Sequence, residues 1–160
     1  KPLFGICLGA QMLTRHLGSA VAPHRDGRVE IGYCRVEPTR LGSAIGAWPE
    51  KFYHWHREGF GIPAGGECLA TGADFPNQAY RFGSAYGVQF HPEITYQLVN
   101  RWTTCASQHL TKPGAQPPQE QLMGHIHHGR RVKAWLDLFL DRWLAAAAAD
   151  DKAPRAATLR

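Results

Sequence analysis

The sequence predicts an α/β fold, an open and mainly parallel sheet flanked by helices, and three observations carry that expectation. The apolar run Lys1–Cys7 ends in a glycine-flanked cysteine and passes at once into helical spacing at Leu8, Met12, Leu13 and Leu17, with Gly18 as the stop. Tyr86, Val88 and Phe90 alternate with Gly87 and Gln89, the period of two expected of a half-buried strand. Helical spacing then returns over Tyr96–Leu110 and Val132–Ala149.

Between these anchors the elements are short. Ile31–Pro38 reads as a strand, Phe52–Phe60 as an aromatic-rich strand around His54-Trp55-His56, and Leu69–Thr71 and Ala79–Phe82 as strands or loops. Thr95 is the expected N-cap of the helix that follows, with Leu98, Trp102, Cys105 and His109 on one face. Residues 1–110 form the expected catalytic core and 111–131, with Pro113, Gly114, Pro117 and Pro118, a linker. A last helix over 132–149 packs Val132, Trp135, Leu136, Phe139 and Trp143 into the core, and 150–160 is expected to be a disordered tail.

Composition narrows the classes. At 160 residues the chain is long enough for one domain with a real core, and 44% hydrophobic with 19% charged residues is ordinary for a globular protein. No apolar run reaches the roughly 20 residues of a membrane span, so no membrane association is expected. The net charge of +5 is scattered rather than drawn into a basic stripe interleaved with aromatics, which argues against nucleic acid. Cys7, Cys34, Cys68 and Cys105 form no C-x-x-C pair, which favours a reducing, cytoplasmic setting over a disulfide scaffold. No glycine-rich phosphate loop is present, so no ATP site and no cofactor is expected.

Two motifs carry chemistry. In Gly5-Ile6-Cys7-Leu8-Gly9-Ala10-Gln11, a nucleophile at a sharp strand-to-helix turn has minimal neighbours two residues away on each side. The helix that starts at Leu8 aims its positive end at the sulfur, which favours a thiolate. In Gly87-Val88-Gln89-Phe90-His91-Pro92-Glu93, a strand delivers His91 to the same sheet edge, and Glu93 can turn its carboxylate back to the imidazole. Cys7, His91 and Glu93 then supply a thiol nucleophile, a general base and the carboxylate that orients it.

Together these segments resemble the signature of class I (triad) glutamine amidotransferases. The intervening Glu30-Ile31-Gly32, Trp55-His56-Arg57-Glu58-Gly59-Phe60 and Pro76-Asn77-Gln78-Ala79-Tyr80-Arg81 look like the GMP synthase-like branch. The resemblance spans roughly Lys1 to Trp143. It implies a flavodoxin-like sheet, a glutamine substrate, a γ-glutamyl thioester on Cys7 and ammonia passed to an acceptor synthetase on another chain. It also implies an oxyanion donor at the Leu8 amide and substrate contacts from Gln11 and Gly9, to which His56 is added. The family carries strands and a glycine loop with a second oxyanion donor ahead of the elbow. The expectation is therefore that this chain is the C-terminal part of such a domain and hydrolyses glutamine poorly by itself. Trp55-His56-Arg57-Glu58 departs from the more frequent Ser-His-Gly-Asp, so the amino-acid end of the substrate is expected to be gripped differently.

Other candidates are weaker. His54 and His56, two apart on a strand, share a face, but the spacing reveals no third ligand. Packing or substrate contact is preferred over a metal, and no metal site is expected. His125, His127 and His128 beside Arg130 read as a solvated loop. Two readings compete with the amidotransferase: a stand-alone γ-glutamyl hydrolase with the same triad, and an inactive protein that only binds a partner.

Overall fold

The computed structural model describes residues 2–152. Along the chain lie β1 (Leu3–Ile6), α1 (Leu8–His16), β2 (Val21–Pro23), β3 (Glu30–Arg35), β4 (Glu37–Pro38), α2 (Arg40–Ser43) and β5 (Lys51–His56). They are followed by β6 (Glu58–Phe60), β7 (Glu67–Thr71), β8 (Ala79–Phe82), β9 (Ala85–Val88), α3 (Tyr96–Cys105), a 3-10 turn (Ser107–Thr111) and α4 (Pro118–Lys152).

The main sheet runs β1-β9-β8-β7-β4, with two-stranded ribbons β2-β6 and β3-β5 beside it. The α/β class holds, but this sheet is mixed rather than mainly parallel. Only β1 and β9 pair in parallel, while β9-β8, β8-β7 and β7-β4 are antiparallel. Chain length between strands explains the difference. Gly83 and Ser84 alone join β8 to β9, which allows only a hairpin, whereas the long excursion from β1 to β9 permits a crossover.

Strand alternation divides the core. On one face Phe4, Ile6, Tyr86 and Val88 pack under α4 with Trp135, Phe139 and Trp143, beside a buried centre of Phe52, Tyr53, Phe90 and Val99. Each large apolar side chain taken out of water there contributes about 1.5–3 kcal/mol. On the other face Gly5 and Gly87 stand in register, and Ala10, Phe60 and Tyr80 form a smaller cluster under α1.

The helix after Cys7 forms as its spacing predicts, yet its buried residues are Ala10, Gln11 and Thr14. Leu8 and Met12 are each 65% exposed. Close approach of α1 to β1 selects the small residues for the inner face and turns the larger ones outward. The Thr95 cap is present, its side chain accepting from Leu98 N–H at 3.3 Å, and Val99 and Thr103 are the residues α3 buries.

The segment read as a linker over 111–131 needs correction. Residues 112–117 run beside β3: Gln116 N–H donates to the Ile31 carbonyl at 2.9 Å, and the Gln116 side chain bonds both Tyr33 N–H (2.9 Å) and Tyr33 O (3.1 Å). The helix then begins at Pro118 rather than near Val132, with proline in the first turn, where its missing N–H does no harm, and Glu120 beside it. Gly124, which reads as loop, is the point where α4 crosses β3, since a Cβ there would lie 2.5 Å from the Tyr33 ring. His125, His127 and His128 are therefore helical, with His125 Nδ1 2.8 Å from Tyr33 Oη. The helix continues to Lys152 through the start of the expected disordered tail, and 153–160 lie outside the described residues. No helix among the described residues is long and apolar enough to cross a membrane.

Candidate active site at the carboxyl edge of β1 and β9

The parallel register of β1 with β9 assembles the site. Ile6 stands opposite Val88, so the residues that follow each strand emerge at one edge, and Cys7 N–H donates to the Val88 carbonyl at 2.8 Å. Cys7 has φ 46° and ψ −104°, and it is the only non-glycine residue with positive φ among those described. A strained strand-to-helix turn of this kind has the geometry of a nucleophile elbow, in which the backbone reverses so that the side chain stands clear of both strand and helix.

Gly5 and Gly9 differ in what they permit. A Cβ on Gly5 would lie 2.8–2.9 Å from the backbone of Gly9 and Ala10, so only glycine fits. A Cβ on Gly9 would meet nothing within 4 Å. The symmetric steric demand expected at both positions thus applies to Gly5, while Gly9 borders open space near the Cys7 turn. Leu8 occupies the first turn of α1, where a backbone N–H has no partner within the helix.

His91 follows β9 and is anchored through its own N–H, which donates to the Tyr53 carbonyl on β5 at 2.7 Å. Its Nδ1 lies 2.8 Å from Glu93 Oε1, which assigns the hydrogen to Nδ1. The Trp102 ring packs against the imidazole edge to face, with centroids 5.1 Å apart. Burial disfavours the charged imidazole, but hydrogen bonds to Cys7 and Glu93 outweigh it and raise the His91 pKa to about 9. The imidazole therefore carries a proton at neutral pH, with the Glu93 carboxylate at Nδ1.

Gln89 is a site residue that the motif contains but does not single out. Fully buried, it places Nε2 3.6 Å from Cys7 Sγ, while its Oε1 accepts from Gln11 Nε2 at 3.4 Å. Gln11 Nε2 also donates to the Glu58 carbonyl at 2.9 Å, so this end of Gln11 ties α1 to β6. The Trp55 carbonyl lies 4.0 Å from Cys7 Sγ. Gln89→Leu is expected to slow iodoacetamide alkylation of Cys7 at pH 7 by about 2- to 10-fold, the value of one modest hydrogen bond. An unchanged rate would remove Gln89 from the site.

His56 does not join this group. Its ring is buried, with Nε2 3.0 Å from Glu30 Oε2 and Nδ1 3.0 Å from the Glu58 carbonyl, so neither nitrogen is free for a substrate. The third partner that spacing does not reveal for His54 and His56 is Glu30, brought alongside by the register Glu30↔His56 between β3 and β5.

Fold and site define an α/β protein with a cysteine elbow and a histidine–carboxylate pair at one sheet edge. A family model described as glutamine amidotransferase class-I matches residues 1–100, and the chain belongs to that family. Among its relatives, the glutamine-hydrolyzing GMP synthase of Thermomicrobium roseum is 37% identical over 98 residues, covering 59% of this chain and 18% of that protein. A glutamine-hydrolyzing GMP synthase subunit from Thermococcus kodakarensis is 32% identical over 100 residues, covering 59% of this chain and 52% of that protein. The matched region is thus about half of the second relative and under a fifth of the first. Two solved structures share the flavodoxin-like α/β arrangement. One is a glutamine amidotransferase from Thermotoga maritima (TM-score 0.78, 30% identity), covering 89% of this chain and 62% of that one. The other is a glutamine amido transferase from Methylobacillus flagellatus (TM-score 0.82, 27% identity), covering 90% and 62%.

Proposed function

We propose that this chain hydrolyses the side-chain amide of glutamine and that the ammonia is passed to an acceptor enzyme on another chain, such as a GMP synthase-type synthetase. The observation that carries the reading is the strained Cys7 turn set against the His91–Glu93 pair. In this mechanism the Cys7 thiolate, its proton held by His91, attacks the amide carbon. The Leu8 N–H receives charge on the oxygen. His91 protonates the departing ammonia, leaving a γ-glutamyl thioester, and then takes a proton from the water that releases glutamate. Gln11 and Gly9, beside the elbow, are the proposed substrate contacts. The GMP synthase relatives support a synthetase acceptor.

The test is ammonia and glutamate release from glutamine, with Cys7→Ala as the control, alongside labelling by a glutamine-mimicking diazo ketone. Cys7 is expected to be modified first, with glutamine protecting it. Burial pushes the Cys34 thiol up to about 12, reinforced by Glu30 and Asp74, and burial also raises Cys68. Cys105 is exposed at the end of α3. Equal labelling of Cys105 and Cys7, or labelling that glutamine does not slow, would overturn the assignment. Cleavage of a γ-glutamyl amide without release of ammonia from glutamine would replace it with the stand-alone hydrolase.

A further inference from the structure

The β3-β5 ribbon carries a second cluster that the proposed reaction does not use. His54 and His56 are two apart on β5 and so share a face, and Glu30 stands directly across from His56 on β3. His54 Nδ1, His56 Nε2 and Glu30 Oε2 converge to mutual distances of 3.3, 3.0 and 3.2 Å, and all three side chains are almost completely buried.

The hydrogen count at this triangle is short. His56 Nδ1 lies 3.0 Å from the Glu58 carbonyl, which can only accept, so that nitrogen holds the hydrogen and Nε2 of the neutral ring presents a lone pair. Glu30 Oε2 also presents lone pairs, and it already accepts Gln78 Nε2 at 2.8 Å. His54 can place a single hydrogen along one edge. In the neutral-imidazole state at least one close contact therefore joins two acceptors with no proton between them. The two buried polar atoms without partners among the described residues, His54 Nε2 and Gln78 Oε1, belong to the same cluster.

We infer that Glu30, His54 and His56 form a buried binding site for a divalent transition metal ion of the zinc type. Three facing lone pairs are what a cation requires. Zinc bound at 2.0–2.1 Å to tetrahedral ligands sets them about 3.3–3.4 Å apart, close to the observed triangle. Two imidazole nitrogens and one carboxylate oxygen suit zinc better than calcium or magnesium, which prefer oxygen. Two of the three ligands have the outer contacts of a metal site: His56 donates its other ring N–H to a backbone carbonyl, and Gln78 Nε2 donates to Glu30 and also to the Phe75 carbonyl at 3.0 Å. The bound ion would pin β3 to β5, the strand whose Tyr53 carbonyl anchors His91 and whose Trp55 carbonyl faces Cys7. Its role is structural, through the position of that strand.

The test uses the whole chain in a Cys7→Ala background, so that the elbow thiol supplies no ligand. The chain is stripped with a chelator, loaded with zinc, desalted and analysed for metal. One zinc per chain is expected, and Glu30→Gln is expected to lose it. Gln78→Leu, which removes only an outer contact, is expected to weaken binding about 10- to 100-fold. Cobalt(II) in the same background is expected to give visible d–d bands without a sulfur-to-cobalt charge-transfer band. If Glu30→Gln fails to fold, retention of zinc and of these bands by a His125→Ala/His127→Ala/His128→Ala chain decides the matter. No retained zinc and no d–d bands would overturn the inference in favour of a metal-free imidazolium–carboxylate pair. Zinc retained equally by a folded Glu30→Gln chain would overturn it in favour of another site, such as His125, His127 and His128.

Discussion

Replacing His91 by alanine is expected to lower glutamine hydrolysis by about 10³- to 10⁴-fold, whereas Glu93→Gln lowers it by about 10²-fold. Every proton transfer in the proposed reaction passes through the imidazole, so its loss removes both activation of the thiol and protonation of ammonia. Glu93 lies 2.8 Å from Nδ1 and is further from the chemistry, fixing the tautomer and stabilising the charged ring. The pH profile separates these roles. His91 is raised to about 9, so it is protonated below that pH and able to protonate the leaving group, and kcat/KM is expected to fall as pH rises through about 9. Glutamine at position 93 keeps an acceptor but withdraws the negative charge, so the alkaline limb should move to lower pH. An unmoved limb in Glu93→Gln, or a loss as deep as that of His91→Ala with the fold intact, would contradict the division of labour.

What can be read from the sequence follows from the distance over which each feature is determined. The Cys7 turn and the His91–Glu93 pair are local, each written within seven residues, and parallel register brings their ends together. Glu30 is invisible beside His54 and His56 because only the pairing of β3 with β5 decides which residue stands opposite His56. The same non-local information is missing for α1. Helical spacing identifies the helix, but the approach of β1 decides that Ala10, Gln11 and Thr14 face inward. In α4 the glycines and prolines read as a linker because Gly124 answers to Tyr33, a residue far away in sequence. Sheet direction departs from the parallel expectation where two residues between β8 and β9 leave no room for a crossover.

The elbow itself offers the other large effect, and it turns on two glycines that the motif treats alike. Gly5→Ala is expected to unfold the α1 side of the domain or leave it insoluble, while Gly9→Ala is expected to keep the melting temperature within a few degrees. At Gly5 the added methyl would stand 2.8–2.9 Å from the backbone of Gly9 and Ala10, and backbone cannot rotate away as a flexible side chain can. Overpacking in a core ordinarily costs about 1–3 kcal/mol even where side chains give way. Here relief requires α1 to lift from β1, which uncovers Ala10, Phe60 and Tyr80 and releases Cys7 from its strained turn. Gly9→Ala meets no atom within 4 Å and replaces glycine by a better helix former in the first turn of α1. Its effect is expected in the open space beside Cys7, as a rise in KM for glutamine with the fold unchanged. Thermal melts of the two variants, read with the rate of Cys7 alkylation, distinguish these outcomes. Equal destabilisation by both alanines would mean that the elbow tolerates neither, and that the space above Gly9 is filled in the folded protein.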